Sequence, residues 1–197
     1  MYFPFIVHND LTEINNTSIF LCKNLFNNGE VELIKKNIDK HTPYSEKYIT
    51  SDKEKCNVIS NFTTFNLISV QNPKIEKIVK RVFEMIQHKL LHEVNNTSSN
   101  IRYEEMKFRK IHGATRMHTD GVVWNEQDGG RLFSVIIALN SDYEGGEIVF
   151  PCQNTQVKLK AGEAIIFPPY WTHPHRTNDL NGTYRYTINT WLTSKSV

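Results

Sequence analysis

His118 and Asp120 are the first residues in this sequence whose types and spacing could do chemistry. On an extended segment, residues i and i+2 point to the same side, so the imidazole and the carboxylate can converge on one ion while Thr119 points away. Imidazole nitrogens and carboxylate oxygens are both common ligands of divalent metal ions. The pair therefore predicts part of a metal site, although a His-x-Asp triplet alone often occurs by chance.

A third ligand must come from elsewhere in the chain, and two downstream histidines, His173 and His175, are available. Two histidines and one carboxylate form the facial triad of non-haem Fe(II) oxygenases, which leaves coordination positions open for a co-substrate and O₂. The same three residue types could also serve a zinc hydrolase, but the sequence offers no obvious general base beside them. The alternative to both is that the two histidines are ordinary surface loop residues.

Arg185 is the second candidate for chemistry. It lies in the alternating run 183–191, where Arg185, Thr187 and Asn189 share one face of the predicted strand. A planar guanidinium beside a hydroxyl donor, on a strand near a metal, is well suited to bind a carboxylate. Without that context Arg185 would be read as a surface residue of the strand.

The elements that must position these residues are mostly strands. Six segments after residue 100 have strand-like alternation or short apolar runs, are separated by Gly, Asn, Asp and Pro, and have no helix between them. They are Ile101–Ile111, Arg131–Asn140, Glu147–Phe150, Gln156–Leu159, Ala164–Phe167 and Thr183–Leu192. This arrangement is typical of an antiparallel sandwich or barrel.

The first half of the chain is predicted to be mainly helical. A short strand is expected at Ser18–Cys22, a helix at Asn28–Asp39, an irregular connection at 42–57 and a stronger helix from Pro73 to about Val94. No repeat or low-complexity linker divides the sequence. The chain is therefore predicted to be one α+β domain, mainly β.

Composition and charge narrow the possible partners. With 23 Lys and Arg against 21 Asp and Glu, the net charge is only +2, so a nucleic-acid partner is unsupported. No apolar run is long enough to span a membrane. Three widely spaced cysteines without a CxxC motif argue against a disulfide framework. We therefore expect a cytoplasmic protein without a membrane partner.

The order of these residues resembles the 2-oxoglutarate- and Fe(II)-dependent dioxygenases of the prolyl 4-hydroxylase type. In that family, a basic residue follows the distal histidine by ten positions, so Arg185 points to His175 as the better third ligand and His173 as the runner-up. The resemblance covers about residues 101–192, and the short approach to His118 looks more like bacterial or viral members. Further matching segments are Leu139–Glu147, Gly162–Pro168 and Gly182–Trp191.

The resemblance implies a double-stranded β-helix, or jelly roll, with N-terminal supporting helices. Residues 1–197 would form a single dioxygenase domain, with helical support over about 19–94 and the jelly-roll core over about 101–192. It implies that His118, Asp120 and His175 are the metal ligands and catalytic residues, and that Arg185 and Thr187 bind the co-substrate. The implied cofactors are Fe(II), 2-oxoglutarate and O₂, with ascorbate as an optional reductant.

The implied activity is hydroxylation of a prolyl or other residue in a peptide or protein. The alternatives are the same chemistry on a small molecule or nucleobase, and a non-catalytic jelly-roll binding module. Such a module would be expected to have lost a metal ligand or the carboxylate-binding arginine, which we call the clamp. Family members often carry a co-substrate-binding Tyr before the His-x-Asp pair. The segment 106–113 has none, which leaves Lys107 and Arg109 as candidates. Residues 124–130 are either a substrate lid or an ordinary hairpin connection.

Overall fold

The computed structural model describes residues 10–40, 44–45, 60–64, 72–94, 101–104, 106–121 and 130–194. Within these ranges it has two α-helices, α1 (Asn28–Asp39) and α2 (Pro73–Glu93), and a 3₁₀ turn at Pro151–Gln153. The strands, numbered β1 to β13 in chain order, are Leu11–Glu13, Phe20–Cys22, Tyr44–Ser45, Ser60–Thr64, Ile101–Tyr103, Lys107–Ile111, Thr115–His118, Arg131–Ala138, Ile148–Phe150, Thr155–Val157, Ala164–Phe167, His175–Thr177 and Arg185–Ser194.

The strands form two antiparallel sheets. The larger sheet has nine strands in the order β1-β2-β11-β8-β13-β6-β4-β3, with β5 paired to β13 outside this path. The smaller sheet has four strands in the order β10-β9-β12-β7. Chain neighbours are rarely sheet neighbours, which is the topology of a jelly roll.

Strand β8 shows how the core is divided. Val135 and Ile137 face one side and belong to the cluster that contains both helices. Ile136 and Ala138 face the other side and pack with residues of the smaller sheet, among them Ile148 and Phe150. A strand buried on both faces reads as a continuous apolar run, which is what residues 135–139 show.

Both helices begin at side-chain caps. The Asn27 side chain accepts a hydrogen bond from the Glu30 backbone N–H, and the Glu30 carboxylate accepts one from the Asn27 N–H, so α1 starts with a capping box. Asn72 caps α2, and Pro73 occupies the first turn, where its missing N–H costs nothing. Arg81 of α2 then pairs with Glu30 at 2.9 Å and joins the helices.

The predicted fold class is confirmed, with both helices and all six strands after residue 100 present; the first strand is divided into β5 and β6. The strand expected at Ser18–Cys22 begins later, at Phe20. The connection predicted as irregular contains the two-residue strand β3; its other residues lie outside the described ranges. In the described residues, neither helix is long and apolar enough to cross a membrane.

Candidate active site

His118, Asp120 and His175 come together at one end of the smaller sheet. His118 ends β7 and His175 begins β12, and the two residues are direct partners in the register of these paired strands. Each of the three side chains offers a ligand atom, and these atoms lie within 4.8 Å of one another. The structure therefore brings together the three residues that the sequence favoured, and surface loop placement is wrong for His175, which is 3% exposed.

The neighbouring backbone fixes which nitrogen of each imidazole is free. Nδ1 of His118 donates to the Arg116 carbonyl at 2.8 Å, and Nδ1 of His175 donates to the His173 carbonyl at 3.1 Å. Because a carbonyl oxygen can only accept, each ring carries a proton on Nδ1, and in the neutral form Nε2 is the nitrogen with the lone pair. Hydrogen bonds of this kind orient the histidine ligands of metal sites.

The surroundings of His175 favour its neutral form. Its ring lies 4.7 Å from the Phe167 ring and 5.6 Å from the Phe150 ring, measured between centroids. Burial lowers the pKa of His175 below its ordinary value, although the Asp120 carboxylate opposes this shift. A neutral imidazole is the form that can bind a metal ion.

Asp120 is oriented by a serine that the sequence analysis missed. The Ser134 hydroxyl donates to Oδ2 of Asp120 at 2.5 Å, while Oδ1 lies 3.7 Å from Nε2 of His118. Ser134 is 1% exposed and lies in the apolar run of β8. A buried hydroxyl in such a run needs a partner, and this need was the available signal.

His173 lies outside the group of converging ligand atoms. It is buried, and its Nε2 donates to the Thr17 carbonyl while its Nδ1 accepts from the Thr172 hydroxyl, both at 2.8 Å. Both ring nitrogens are therefore engaged, and the bond from Nε2 holds the segment before β12 against the turn between β1 and β2. His175, which the spacing from Arg185 favoured, is the histidine that converges with His118 and Asp120, and its role as a ligand stays a prediction.

Arg185 is 3% exposed, so a surface position on the strand is wrong for it. Its Nη1 donates to the Gly146 carbonyl at 2.6 Å, the guanidinium carbon lies 6.0 Å from the centre of the Tyr143 ring, and Nε has no hydrogen-bond partner among the described residues. Burial lowers the pKa of Arg185. The Glu147 carboxylate partly offsets this effect. A buried cation whose hydrogen-bond acceptor is an uncharged carbonyl, and whose Nε is unused, suits an anionic ligand. Tyr143 and Gly146 were not singled out for this role from the sequence.

Thr187 lies two residues further along the same strand and is fully buried. Its hydroxyl donates to Oδ1 of Asn189 at 2.6 Å, so the proton is already used inside the strand. Binding of the co-substrate by Thr187 would require this hydrogen bond to be exchanged, and it stays a prediction.

Arg109 lies on the same side of the larger sheet as Arg185. It is the register partner of Thr187 across β6 and β13, and directly paired residues project to one face. Burial is the main cause of the lowered pKa of Arg185, and the positive charge of Arg109 adds to it. Lys107, by contrast, places its ammonium 5.6 Å from the centre of the Trp191 ring. Of the two candidates to replace the missing Tyr as a contact of the co-substrate, Arg109 is therefore favoured over Lys107.

Residues 124–129 of the suggested lid lie outside the described ranges.

Comparison with known proteins agrees with this geometry. The sequence profile described as "2OG-Fe(II) oxygenase superfamily" matches residues 102–193. A PKHD-type hydroxylase of Prochlorococcus marinus strain MIT 9301 is 26% identical over 187 residues, covering 89% of this chain and 78% of the relative. A PKHD-type hydroxylase of strain MIT 9515 is 23% identical over 179 residues, with the same coverage.

Three solved structures share the fold. A viral collagen prolyl hydroxylase from Paramecium bursaria Chlorella virus-1, in complex with 2OG, superposes with a TM-score of 0.65 at 18% identity, covering 91% of this chain and 97% of the other. A prolyl hydroxylase from Trichoplax adhaerens, in complex with a hypoxia-inducible-factor peptide, has a TM-score of 0.68 at 13% identity. The match covers 91% of this chain and 85% of the other. A Pseudomonas putida prolyl-4-hydroxylase has a TM-score of 0.61 at 14% identity, and the match covers 90% of this chain and 93% of the other.

The three residues that could hold a metal and the buried arginine lie within the matched range, on the strands of a jelly roll. Residues 102–193 therefore match the 2OG-Fe(II) oxygenase superfamily, and the protein is a 2-oxoglutarate- and Fe(II)-dependent dioxygenase.

Proposed function

We propose that this dioxygenase hydroxylates a residue of a peptide or protein, with a prolyl residue as the first candidate. In this proposal His118, Asp120 and His175 hold Fe(II), and Arg185 binds the distal carboxylate of 2-oxoglutarate. The observation that carries it is the convergence of three ligand atoms within 4.8 Å, in a fold that also contains a buried arginine hydrogen-bonded to an uncharged carbonyl.

The donor set fits Fe(II). Two imidazoles and one carboxylate occupy three positions and leave others open, and the Asp120 carboxylate balances part of the charge of a divalent ion. When bound, the iron and 2-oxoglutarate together supply the activation of O₂ that oxidises a substrate C–H bond. The protein residues bind, orient and shield.

Each of those tasks has an assigned residue. The carbonyls of Arg116 and His173 hold the two imidazoles in the tautomer that exposes Nε2. Phe150 and Phe167 pack around His175 and exclude water from one side of the site. Arg185 provides a charge-assisted contact whose planar fork also sets the direction of a bound carboxylate.

The peptide substrate is supported by likeness. Three structural neighbours are prolyl hydroxylases, and the one from Trichoplax adhaerens was solved with a peptide fragment. A cytoplasmic location is part of the same proposal, and it is supported by Cys22 and Cys152, which form no disulfide among the described residues. Non-peptide substrates remain the second candidate from the sequence.

The test is turnover of 2-oxoglutarate to succinate by purified protein with Fe(II), with and without a panel of proline-containing and proline-free peptides. We expect succinate formation that requires Fe(II), is stimulated by the proline-containing peptides and adds about 16 Da to them; this mass identifies hydroxylation. His118→Ala should abolish both signals. Fe(II)-dependent succinate without any peptide product would refute the peptide substrate and leave the dioxygenase chemistry in place.

A further inference from the structure

Arg131, the first residue of β8, contacts Asp120 and two residues outside the group of candidate ligands, Glu104 and Trp191. Its Nε and Nη2 donate to the two carboxylate oxygens of Glu104 at 2.7 and 2.8 Å, and its Nη1 donates to the backbone carbonyl of Asp120 at 2.7 Å. Its guanidinium carbon lies 3.8 Å from the centre of the Trp191 ring. One side chain thus joins a metal-ligand candidate to β13 and to the residue that directly follows β5.

The partners of Arg131 are themselves fixed to β13. The Glu104 N–H donates to the Trp191 carbonyl at 2.9 Å, and the Thr190 hydroxyl donates to the Glu104 carbonyl at 3.0 Å. The bidentate pairing and the stacking on Trp191 leave the guanidinium little rotational freedom, since both the fork and its plane are occupied. Arg131 therefore presents Nη1 to Asp120 from a well-fixed position.

Asp120 is held from the same strand at its side chain as well. Ser134 donates to Oδ2, while Arg131 donates to the main-chain oxygen of the same residue. On the other side, the N–H of Gly121 donates to the Pro169 carbonyl at 3.1 Å. These contacts fix Asp120 at both its backbone and its carboxylate, just before the chain enters residues 122–129.

We propose that Arg131 is a positioning residue of the metal site, which sets the place of the Asp120 carboxylate by holding the Asp120 carbonyl. The inference rests on the proposed function only in taking Asp120 as a metal ligand. The hydrogen-bond partners of metal ligands commonly affect metal affinity by about 10- to 100-fold. Arg131 acts less directly than such partners, because it contacts the backbone carbonyl of Asp120 and not its carboxylate.

If Arg131 only stabilised the fold, replacing it would leave metal affinity unchanged in the folded protein, as is expected for an ion pair far from the site. The Arg81–Glu30 pair joins α2 to α1 with two contacts of 2.9 Å, and neither residue is among those that converge at the site. It is a matched control, because it is also an arginine bound to a glutamate from another element. Ion pairs of this exposed kind contribute about 0–1 kcal/mol to stability.

The experiment measures the affinity of metal-free protein for Mn(II) or Co(II), without co-substrate or turnover, in Arg131→Gln, Arg131→Lys and Arg81→Gln. We expect Arg131→Gln to weaken metal binding by about 10- to 100-fold and to change the visible absorption of bound Co(II). Arg131→Lys keeps the charge and one donor direction but loses the fork, so its loss should be intermediate. Arg81→Gln should stay within about twofold of wild type.

Thermal unfolding of each metal-free variant separates loss of the fold from loss of the site. If Arg131→Gln does not fold, the metal affinity of Arg131→Lys is compared with that of Arg81→Gln. The comparison is made at temperatures where both variants are fully folded. Wild-type metal affinity and an unchanged Co(II) spectrum in a folded Arg131 variant would overturn the inference. Failure of the wild-type protein itself to bind either metal would instead refute the proposed function.

Discussion

Arg185→Leu is the change that tests the co-substrate site most directly. The side chain is 3% exposed, and its described partners, the Gly146 carbonyl and Tyr143, are neutral. Leu removes the cation and keeps an apolar stem of similar position on β13. A carboxylate of 2-oxoglutarate would then enter a buried pocket without its charged partner.

The expected magnitude follows from that burial. Removing one partner of a buried ion pair costs about 3–5 kcal/mol, because the remaining charge is left uncompensated. At about 1.4 kcal/mol for each factor of ten, the affinity for 2-oxoglutarate should fall roughly 150- to 4,000-fold. Arg185→Lys should lose much less, since it keeps the charge and gives up only the fork geometry. Removing a buried cation is favourable for the metal-free Leu variant, while losing the Gly146 hydrogen bond and the attraction to Glu147 is unfavourable, so the variant should stay folded with a stability near that of wild type.

The assay is calorimetric titration of 2-oxoglutarate into Mn(II)-loaded protein, with metal affinity measured first for each variant. Arg81→Leu, an exposed arginine on α2, is the matched control and should titrate like wild type. Unchanged affinity for 2-oxoglutarate in a folded, metal-loaded Arg185→Leu protein would show that Arg185 is only a strand residue and that the clamp lies elsewhere.

Three further predictions concern the pocket, the helices and pH. Arg109→Gln should weaken 2-oxoglutarate binding by about 10- to 150-fold in the same titration, since a charged hydrogen bond contributes about 1.5–3 kcal/mol; Lys110→Gln, on the opposite face of β6, should not. Asn27→Ala removes the cap of α1 and should lower the free energy of unfolding in urea by about 1 kcal/mol without changing metal affinity. Because burial holds the pKa of His175 below its ordinary 6.5, the unfolded chain takes up this proton first on acidification, so the metal-free protein should lose stability as the pH falls from 6.5 toward the folded-state pKa. The dependence of the unfolding free energy on pH should therefore be weaker in His175→Gln. An unchanged dependence would contradict the lowered pKa of His175.

Much of the fold could be predicted because its signals are local. Helix α1 was predicted with its observed bounds, and α2 to within one residue, since their apolar spacing and start signals lie within a few residues of each other. The number and spacing of short strands predicted an antiparallel sandwich or barrel, and the resemblance to the dioxygenases implied the jelly roll. Strands β7 and β12 were not among the predicted strands, because both are short and polar.

The candidate site was predictable in its residue types but not in its supports. The two-residue spacing of His118 and Asp120, and the ten-residue spacing from His175 to Arg185, can be read along the chain. The contacts of Ser134 and Arg131 with Asp120 depend on which strand lies beside which, and the hydrogen bond from Arg185 to Gly146 crosses 39 residues. Sequence periodicity assigns a residue to a face of a strand, but not to its partner across the fold.

The two halves of the proposed site belong to different layers of the sandwich. His118 and His175 are on the smaller sheet, whereas Arg185 is on the larger one. Any molecule held at both places would act as a removable cross-link between the layers, and its binding free energy would add to the work needed to separate them. Amide hydrogens of β7 and β12 should then exchange more slowly once metal and 2-oxoglutarate are both present than with either alone.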